Sequence, residues 1–146
     1  MKKILLVAAA LFTTSAFGDP VHIMDHINTT DGNWSGRLTI ISANEPAYFT
    51  DAQKNNKGST YDFTTQATQP FSYGFGIIPG KTDFNVAYSL TLTQKPAADT
   101  PLFTAKTCVF LITATSPATP DIRTESFNNA TCKAAPSNDG DTYTIS

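Results

Sequence analysis

Residues 84–93 alternate strictly between apolar and polar side chains. The apolar positions are the even-numbered ones, namely Phe84, Val86, Tyr88, Leu90 and Leu92, and the odd-numbered ones are small or polar. A period of two places neighbouring side chains on opposite faces of an extended chain. The segment therefore predicts a β-strand with one buried face. A helix would need apolar residues every three or four positions, and that pattern is nearly absent after residue 18.

Shorter runs of aromatic and β-branched residues predict the other strands. Residues 104–115 are apolar on both faces at their middle, which is typical of a central strand and would point Cys108 into the core. The remaining predicted strands are 21–27, 34–41, 61–63, 71–77, 122–127 and 143–145.

Glycine, proline, asparagine and aspartate separate these runs every eight to twelve residues or so. About seven to nine short strands with such breaks indicate an all-β fold, a single β-sandwich of the Greek-key, immunoglobulin-like or jelly-roll kind. A small closed barrel is the alternative. A membrane-spanning barrel would need alternating segments of about ten residues throughout, and only 84–93 has that length.

The first eighteen residues have the pattern of a bacterial export signal. Lys2 and Lys3 precede an apolar run over 4–12, and the small residues Ala16 and Gly18 stand where a signal peptidase requires them. We therefore expect a signal peptide over 1–18, a mature domain over 19–146, and a periplasmic or secreted location. No later stretch is long and apolar enough to predict a transmembrane segment.

The two cysteines, Cys108 and Cys132, both fall in the expected mature chain. In an oxidising compartment a lone pair of cysteines in a small domain predicts a disulfide bond. Closing a loop of about 25 residues would stabilise the fold by roughly 3 to 4 kcal/mol.

The balance of charge argues against nucleic acid as a partner. Cleavage removes two lysines, which leaves eight basic against twelve acidic residues and a net charge of −4. The basic residues are scattered singly, whereas nucleic-acid-binding domains carry them in clusters.

The sequence contains no nucleophile-elbow, zinc-protease, phosphate-loop or CxxC motif. This favours an exported non-catalytic module, such as an adhesin, an inhibitor or a surface-assembly subunit, that binds a protein or carbohydrate and needs no cofactor. The polar loops 51–58, 94–101 and 133–141 are the predicted contact surfaces. A small secreted hydrolase is an alternative, because acid–base catalysis by two carboxylates leaves no sequence motif.

A candidate metal site lies near the expected mature N-terminus. On an extended strand His22, Met24 and His26 project from one face, while Val21, Ile23 and Ile27 project from the other. Imidazole nitrogens beside a thioether suit Cu(I), so a periplasmic copper-handling protein is the alternative function. The other interpretation is an edge strand with a polar outer face.

The run Tyr73, Gly74, Phe75 and Gly76 is a candidate ligand-binding strand. Its aromatic side chains share one face, and the glycines leave the other face empty, as happens where a ligand or another backbone approaches closely. A core strand with a bend is the alternative. Residues 138–141 (Asn-Asp-Gly-Asp) could offer oxygen ligands to Ca²⁺, but a turn before the last strand also explains them.

Overall fold

The computed structural model describes residues 21–77, 84–94, 101, 104–115 and 118–146, and of residues 21–23 and 77 it describes the backbone alone. Two sheets pack together and confirm the predicted all-β sandwich. The described strands are β1 (Val21–Thr29), β2 (Trp34–Ala43), β3 (Ala47–Thr50), β4 (Asn56–Gly58), β5 (Thr60–Thr65), β6 (Phe71–Ile77), β7 (Asn85–Gln94), β8 (Thr107–Thr115), β9 (Asp121–Phe127), β10 (Cys132–Ala135) and β11 (Thr142–Ile145).

One sheet has six strands in the order β10-β11-β1-β6-β3-β4, and the other has five in the order β5-β2-β7-β8-β9. Strands β1 and β11, the first and last of the described strands, are neighbours in the six-stranded sheet. They run parallel, with His26 opposite Thr142 and Thr29 opposite Ile145. The other neighbouring strands pair antiparallel.

The core lies between the sheets and is built by the predicted alternation. In β7 every apolar position of the pattern from Val86 to Leu92 is buried, as predicted. The largest fully buried side chains come from both sheets: Trp34, Phe49, Tyr73, Phe110 and Tyr143. Burying an aromatic or aliphatic side chain stabilises a fold by about 1.5 to 3 kcal/mol, so this layer holds the sheets together.

The predicted disulfide joins Cys108 of β8 to Cys132 of β10, across 5.7 Å between their α-carbons. Cys108 is fully buried, as its place in a central strand predicted. Since β8 and β10 belong to different sheets, the bond fastens one layer of the sandwich to the other.

The strand count exceeds the predicted seven to nine, because eleven strands lie in the described part of the chain. The three that the sequence did not predict are β3, β4 and β10, which have three or four residues each. A segment so short shows at most one alternation, which a turn can also produce. The predicted signal peptide, residues 1–18, lies outside the described residues.

Candidate functional site

Exposed apolar side chains gather on the five-stranded sheet. Among the described residues, the large apolar side chains that are exposed are Ile41 in β2, Leu111 in β8 and Phe127 in β9. All three strands belong to this sheet. Ile41 and Leu111 line the same groove, and Phe127 is not among its lining residues. Exposed apolar residues that share a groove on an outer sheet face are a mark of an interaction surface.

Ile41 lies on the outer face of the sheet because β2 alternates: Arg37 on the same face is exposed and Leu38 on the other is buried. Ile41 is 61% exposed. A β-bulge leaves it without a partner in β7, since the strand register shifts between Ile40 and Ser42.

A shallow groove of ≈350 Å³ lies on this face. Ile41, Ala87 and Leu111 provide its apolar lining, and Asp121 and Arg123 of β9 stand at its side. In the strand register Leu111 is directly opposite Arg123. We call this surface, defined by Ile41, Ala87, Leu111, Asp121 and Arg123, the β2–β9 groove. It combines an apolar floor with one charge of each sign, and sequence reasoning missed it.

The candidate copper residues lie on the outer side of β1. The side chain of Met24 is half-buried and that of His26 is exposed, while for His22 the backbone alone is described. His22 pairs with Gly76 and His26 with Ser72 in β6. The His26 Nδ1 atom lies 2.8 Å from the Ser72 hydroxyl oxygen. Within the described residues no group of three or more His, Cys, Asp or Glu side chains is placed to hold a metal ion.

The candidate ligand strand, β6, has its two aromatic residues in the core. Tyr73 is fully buried and Phe75 is 4% exposed, so neither ring faces solvent. Neighbouring strands cover the glycines on the other face. A β-carbon at Gly74 would collide with the Thr50 hydroxyl and lie 2.9 Å from the Met24 sulfur.

Gly76 is covered in the same way by the ring of Tyr48, which would lie 2.5 Å from an added β-carbon. The glycines of β6 therefore give room to side chains of β1 and β3. Ligand binding at 73–76 stays a prediction, and in this structure a ligand would have to displace Met24 or Tyr48.

A buried polar cluster lies between the sheets. One carboxylate oxygen of Asp25 accepts a hydrogen bond from the Tyr88 hydroxyl at 3.1 Å, and the other accepts one from the backbone N–H of Asp141 at 2.8 Å. The Asp141 carboxylate accepts hydrogen bonds from the Tyr143 hydroxyl at 3.3 Å and from the backbone N–H of Ser137 at 3.0 Å. These bonds tie the first strand of the chain to the last and to the opposite sheet.

The hydroxyl of Tyr73 adjoins this cluster. It is buried near Asp25 and Tyr143, although no described donor or acceptor meets it at hydrogen-bond geometry. Burial raises the pKa values of Tyr73, Tyr88 and Tyr143 well above the usual range, and the negative charge of Asp25 adds to the effect.

Burial also raises the pKa of Asp25 to about 6, and the nearby charge of Asp141 adds to the rise. The backbone N–H of Asp141 and the tyrosine hydroxyls oppose it without cancelling it. Such a shift often marks a catalytic acid. Asp25 and Asp141 are, however, only 3% and 2% exposed, and protein donors meet the oxygens of both carboxylates. In this structure the pair links β1 to the turn before β11. The sequence indicates this link by one feature, the charged residue Asp25 on the face of β1 that carries Ile23 and Ile27.

Residues 138–141 form a tight turn before β11. The backbone N–H of Gly140 donates to the Ser137 carbonyl at 3.4 Å, and the Asn138 side chain accepts a hydrogen bond from Thr119 at 3.0 Å. Both carboxylate oxygens of Asp141 accept hydrogen bonds from the protein itself. A turn before β11 therefore accounts for this segment, and the Asp141 oxygens that could have bound Ca²⁺ accept hydrogen bonds within the protein.

The predicted contact loop 51–58 contains several hydrogen bonds of its own. The Asp51 carboxylate accepts hydrogen bonds from the backbone N–H groups of Gln53 and Asn55 and forms an ion pair with Lys57 at 2.9 Å. Strand β4 occupies its end. The predicted loop 133–141 likewise contains most of β10, and most of 94–101 lies outside the described residues.

No family model, no curated protein and no solved structure matches this chain. In the part of the chain that the structure describes, no helix has the length and apolar character needed to cross a membrane.

Proposed function

We propose that this protein is an exported, non-catalytic interaction module of a bacterial envelope, and that it binds a protein partner through the β2–β9 groove. The observation that carries the proposal is that two exposed large apolar side chains, Ile41 and Leu111, line the same groove on this face. An apolar floor beside charges of both signs suits a protein surface, because apolar contacts supply affinity and charges supply specificity. A carbohydrate platform would instead place an exposed aromatic ring in the groove. Among the described residues, the one ring that lines the groove, Tyr88, is buried, and the exposed ring of Phe127 is not among the lining residues.

Site-specific photo-crosslinking in the producing bacterium tests this proposal. A photoreactive residue in place of Leu111 should give a discrete adduct with another protein, identifiable by mass spectrometry. The same residue in place of Thr64, which is exposed in β5 of the same sheet, is the matched control and should give no such adduct. Ile41→Glu should abolish the adduct at position 111 without lowering the melting temperature.

Two results would count against the proposal. One is the absence of any adduct at position 111, and the other is equal adducts at 111 and 64. An adduct of twice the mass of the chain would report self-association and not a partner protein.

Copper handling is the second candidate, favoured by the shared outer face of Met24 and His26 on β1. Three ligands from one strand cannot close a tetrahedral site, so we expect weak Cu(I) binding or a site completed by another molecule. Competition with a chromogenic Cu(I) chelator measures it. Replacing Met24 by Leu should weaken binding, and His22→Ala with His26→Ala should abolish it. A double variant that holds copper as well as the parent would remove this candidate.

A further inference from the structure

Strand β9 presents a free edge. It pairs with β8 on one side and with no described strand on the other. Its seven residues are exposed except for Ile122, which is half-buried. The other edge strands are shorter, with six residues in β5, four in β10 and three in β4. Unpaired N–H and C=O groups along an edge can pair with another strand.

The charges of β9 alternate along its outer face. Asp121, Arg123 and Glu125 project from the same side of the strand, and none of them forms an ion pair with a described residue. Charges on an edge strand commonly prevent association. The alternating charges of β9 allow association in one case. When a second copy of the same strand pairs antiparallel, opposite charges can face each other.

The register of such a pair follows from the charges. When two copies pair about a two-fold axis at Thr124, Arg123 of each copy lies directly opposite Glu125 of the other. All seven residues of β9 then have a partner. An axis at Arg123 would oppose like charges. An axis at Ile122 would match Asp121 with Arg123, but it would pair only residues 121–123 of the strand.

We propose that two copies of this protein associate edge to edge through β9, antiparallel about a two-fold axis at Thr124. The two five-stranded sheets then form one continuous sheet of ten strands. The pairing involves backbone groups along the strand and two symmetric Arg123–Glu125 contacts, and opposite charges directly across antiparallel strands stabilise the pair. Edge strand β5 lacks this pattern, since its one charged residue, Asp62, already forms an ion pair with Arg37.

The dimer would bring two β2–β9 grooves to the same face of the continuous sheet. Each groove would lie close to the interface, because Arg123 at the interface is directly opposite Leu111 within each copy. Dimerisation itself does not depend on the proposed function of the groove. A partner with two matching sites would, however, bind such a dimer more tightly through avidity.

Charge exchange tests the proposal by sedimentation velocity on the mature protein over a concentration series. The parent should dimerise. Arg123→Glu and Glu125→Arg should each raise the dissociation constant by about tenfold or more, because like charges then meet twice across the axis. The double exchange should restore dimerisation. A mixture of the two single variants should form heterodimers, since the carboxylate introduced at position 123 of one copy then faces the guanidinium introduced at position 125 of the other.

Asp62→Lys on the opposite edge of the same sheet is the matched control and should leave dimerisation unchanged. The proposal is overturned if the parent stays monomeric at its highest soluble concentration, or if Asp62→Lys weakens association as much as the β9 variants do. It is also overturned if Arg123→Glu disrupts the dimer while the double exchange fails to restore it, because that outcome places the axis elsewhere.

Two further measurements fix the register. Thr124→Cys should form a disulfide between copies under mild oxidation, and Ser126→Cys, which lies away from the axis, should not. Equal crosslinking of both variants would contradict the proposal.

Hydrogen exchange tests the same pairing on the unmodified protein, without any variant. The amides of β9 should exchange more slowly as concentration rises while those of β5 do not, and unchanged exchange in β9 would overturn the proposal.

Discussion

At the scale of single residues, Asp25 organises the centre of the molecule. It stands on the core side of β1, where an apolar residue would be expected, and its carboxylate connects Tyr88 of the opposite sheet with the turn that precedes β11. A buried carboxylate is unfavourable unless it is hydrogen-bonded, and both of its oxygens accept a bond. The remaining cost of burial appears as the raised pKa of this group.

This raised pKa predicts an unusual dependence of stability on pH. The pKa of Asp25 rises from 3.8 to about 6 on folding, so the folded chain binds the proton more tightly than the unfolded chain does. The contribution of Asp25 to stability is therefore fully present below pH 3.8 and is lost as pH rises through about 6. A shift of this size corresponds to about 3 kcal/mol.

Asp25→Asn isolates the effect, because an amide keeps one acceptor for Asp141 N–H and offers a donor to Tyr88. We expect the variant to be more stable than the parent by about 2 to 3 kcal/mol at neutral pH and equal to it in acid. Urea unfolding at a series of pH values measures the difference. Asp62→Asn is the control, because the pKa of that exposed carboxyl is lowered by Arg37. A parent and an Asp25→Asn variant with parallel pH profiles would contradict the prediction.

At the scale of elements, the sequence predicted a strand where the strand shows a clear period of two, as the four-residue β11 does with Tyr143 and Ile145. The run 71–77 was predicted with the bounds that β6 has, and 84–93 differs from β7 by one residue at each end. Both are long enough to show a period of two. Strands β3, β4 and β10 depend on pairing with distant segments, which no local pattern contains.

The candidate sites were harder to predict than the strands, for the same physical reason. The β2–β9 groove depends on Ile41 of β2 and Leu111 of β8 lining one surface, and the cover over Gly74 comes from Met24 and Thr50 on two other strands. Neither contact is local in the sequence. The one local sign of a site in the sequence was a charged residue, Asp25, on the apolar face of β1.

The turn before β11 depends on Gly140 for its contact with β1. The backbone of Gly140 has a φ of 128°, and a β-carbon there would collide with the backbone carbonyl of Met24. A backbone atom cannot move aside as a side chain can, so Gly140→Ala should separate the turn from β1. It should also weaken the hydrogen bond from Asp141 N–H to Asp25.

We expect Gly140→Ala to lower the free energy of unfolding by about 3 kcal/mol, through backbone strain and the collision together. Gly58→Ala is the matched control: its φ is 81° but no atom lies within 4 Å of an added β-carbon. It should lose only about 1 kcal/mol, the cost of a left-handed conformation. Chemical denaturation of both variants makes the comparison, and equal losses would show that the contact with Met24 does not matter.

At the scale of the whole molecule, the first and last described strands and the disulfide close the sandwich. Strands β1 and β11 pair in parallel, so the six-stranded sheet is complete only when residues 142–145 have folded. Strand β10 extends the same sheet beyond β11, and its Cys132 is bonded to Cys108 in β8, the strand next to β9 in the other sheet. The bond therefore holds the layers together at the corner where β9 ends and β10 begins.

The disulfide should accordingly stabilise the whole fold and not one sheet alone. Its cysteines are separated by 24 residues, and a closed loop of that length predicts a contribution of about 3 to 4 kcal/mol. Urea unfolding of the oxidised and the fully reduced protein measures it without any change of sequence. The variant with both Cys108→Ala and Cys132→Ala is the control and should not respond to reductant.

Because Cys108 and Cys132 belong to different layers, reduction should destabilise both sheets by the same free energy. The tryptophan fluorescence of Trp34 reports on the five-stranded sheet, and the hydrogen exchange of β11 reports on the other sheet. Loss of protection in β10 and β11 alone, with the Trp34 transition unchanged, would show that the bond stabilises only one sheet.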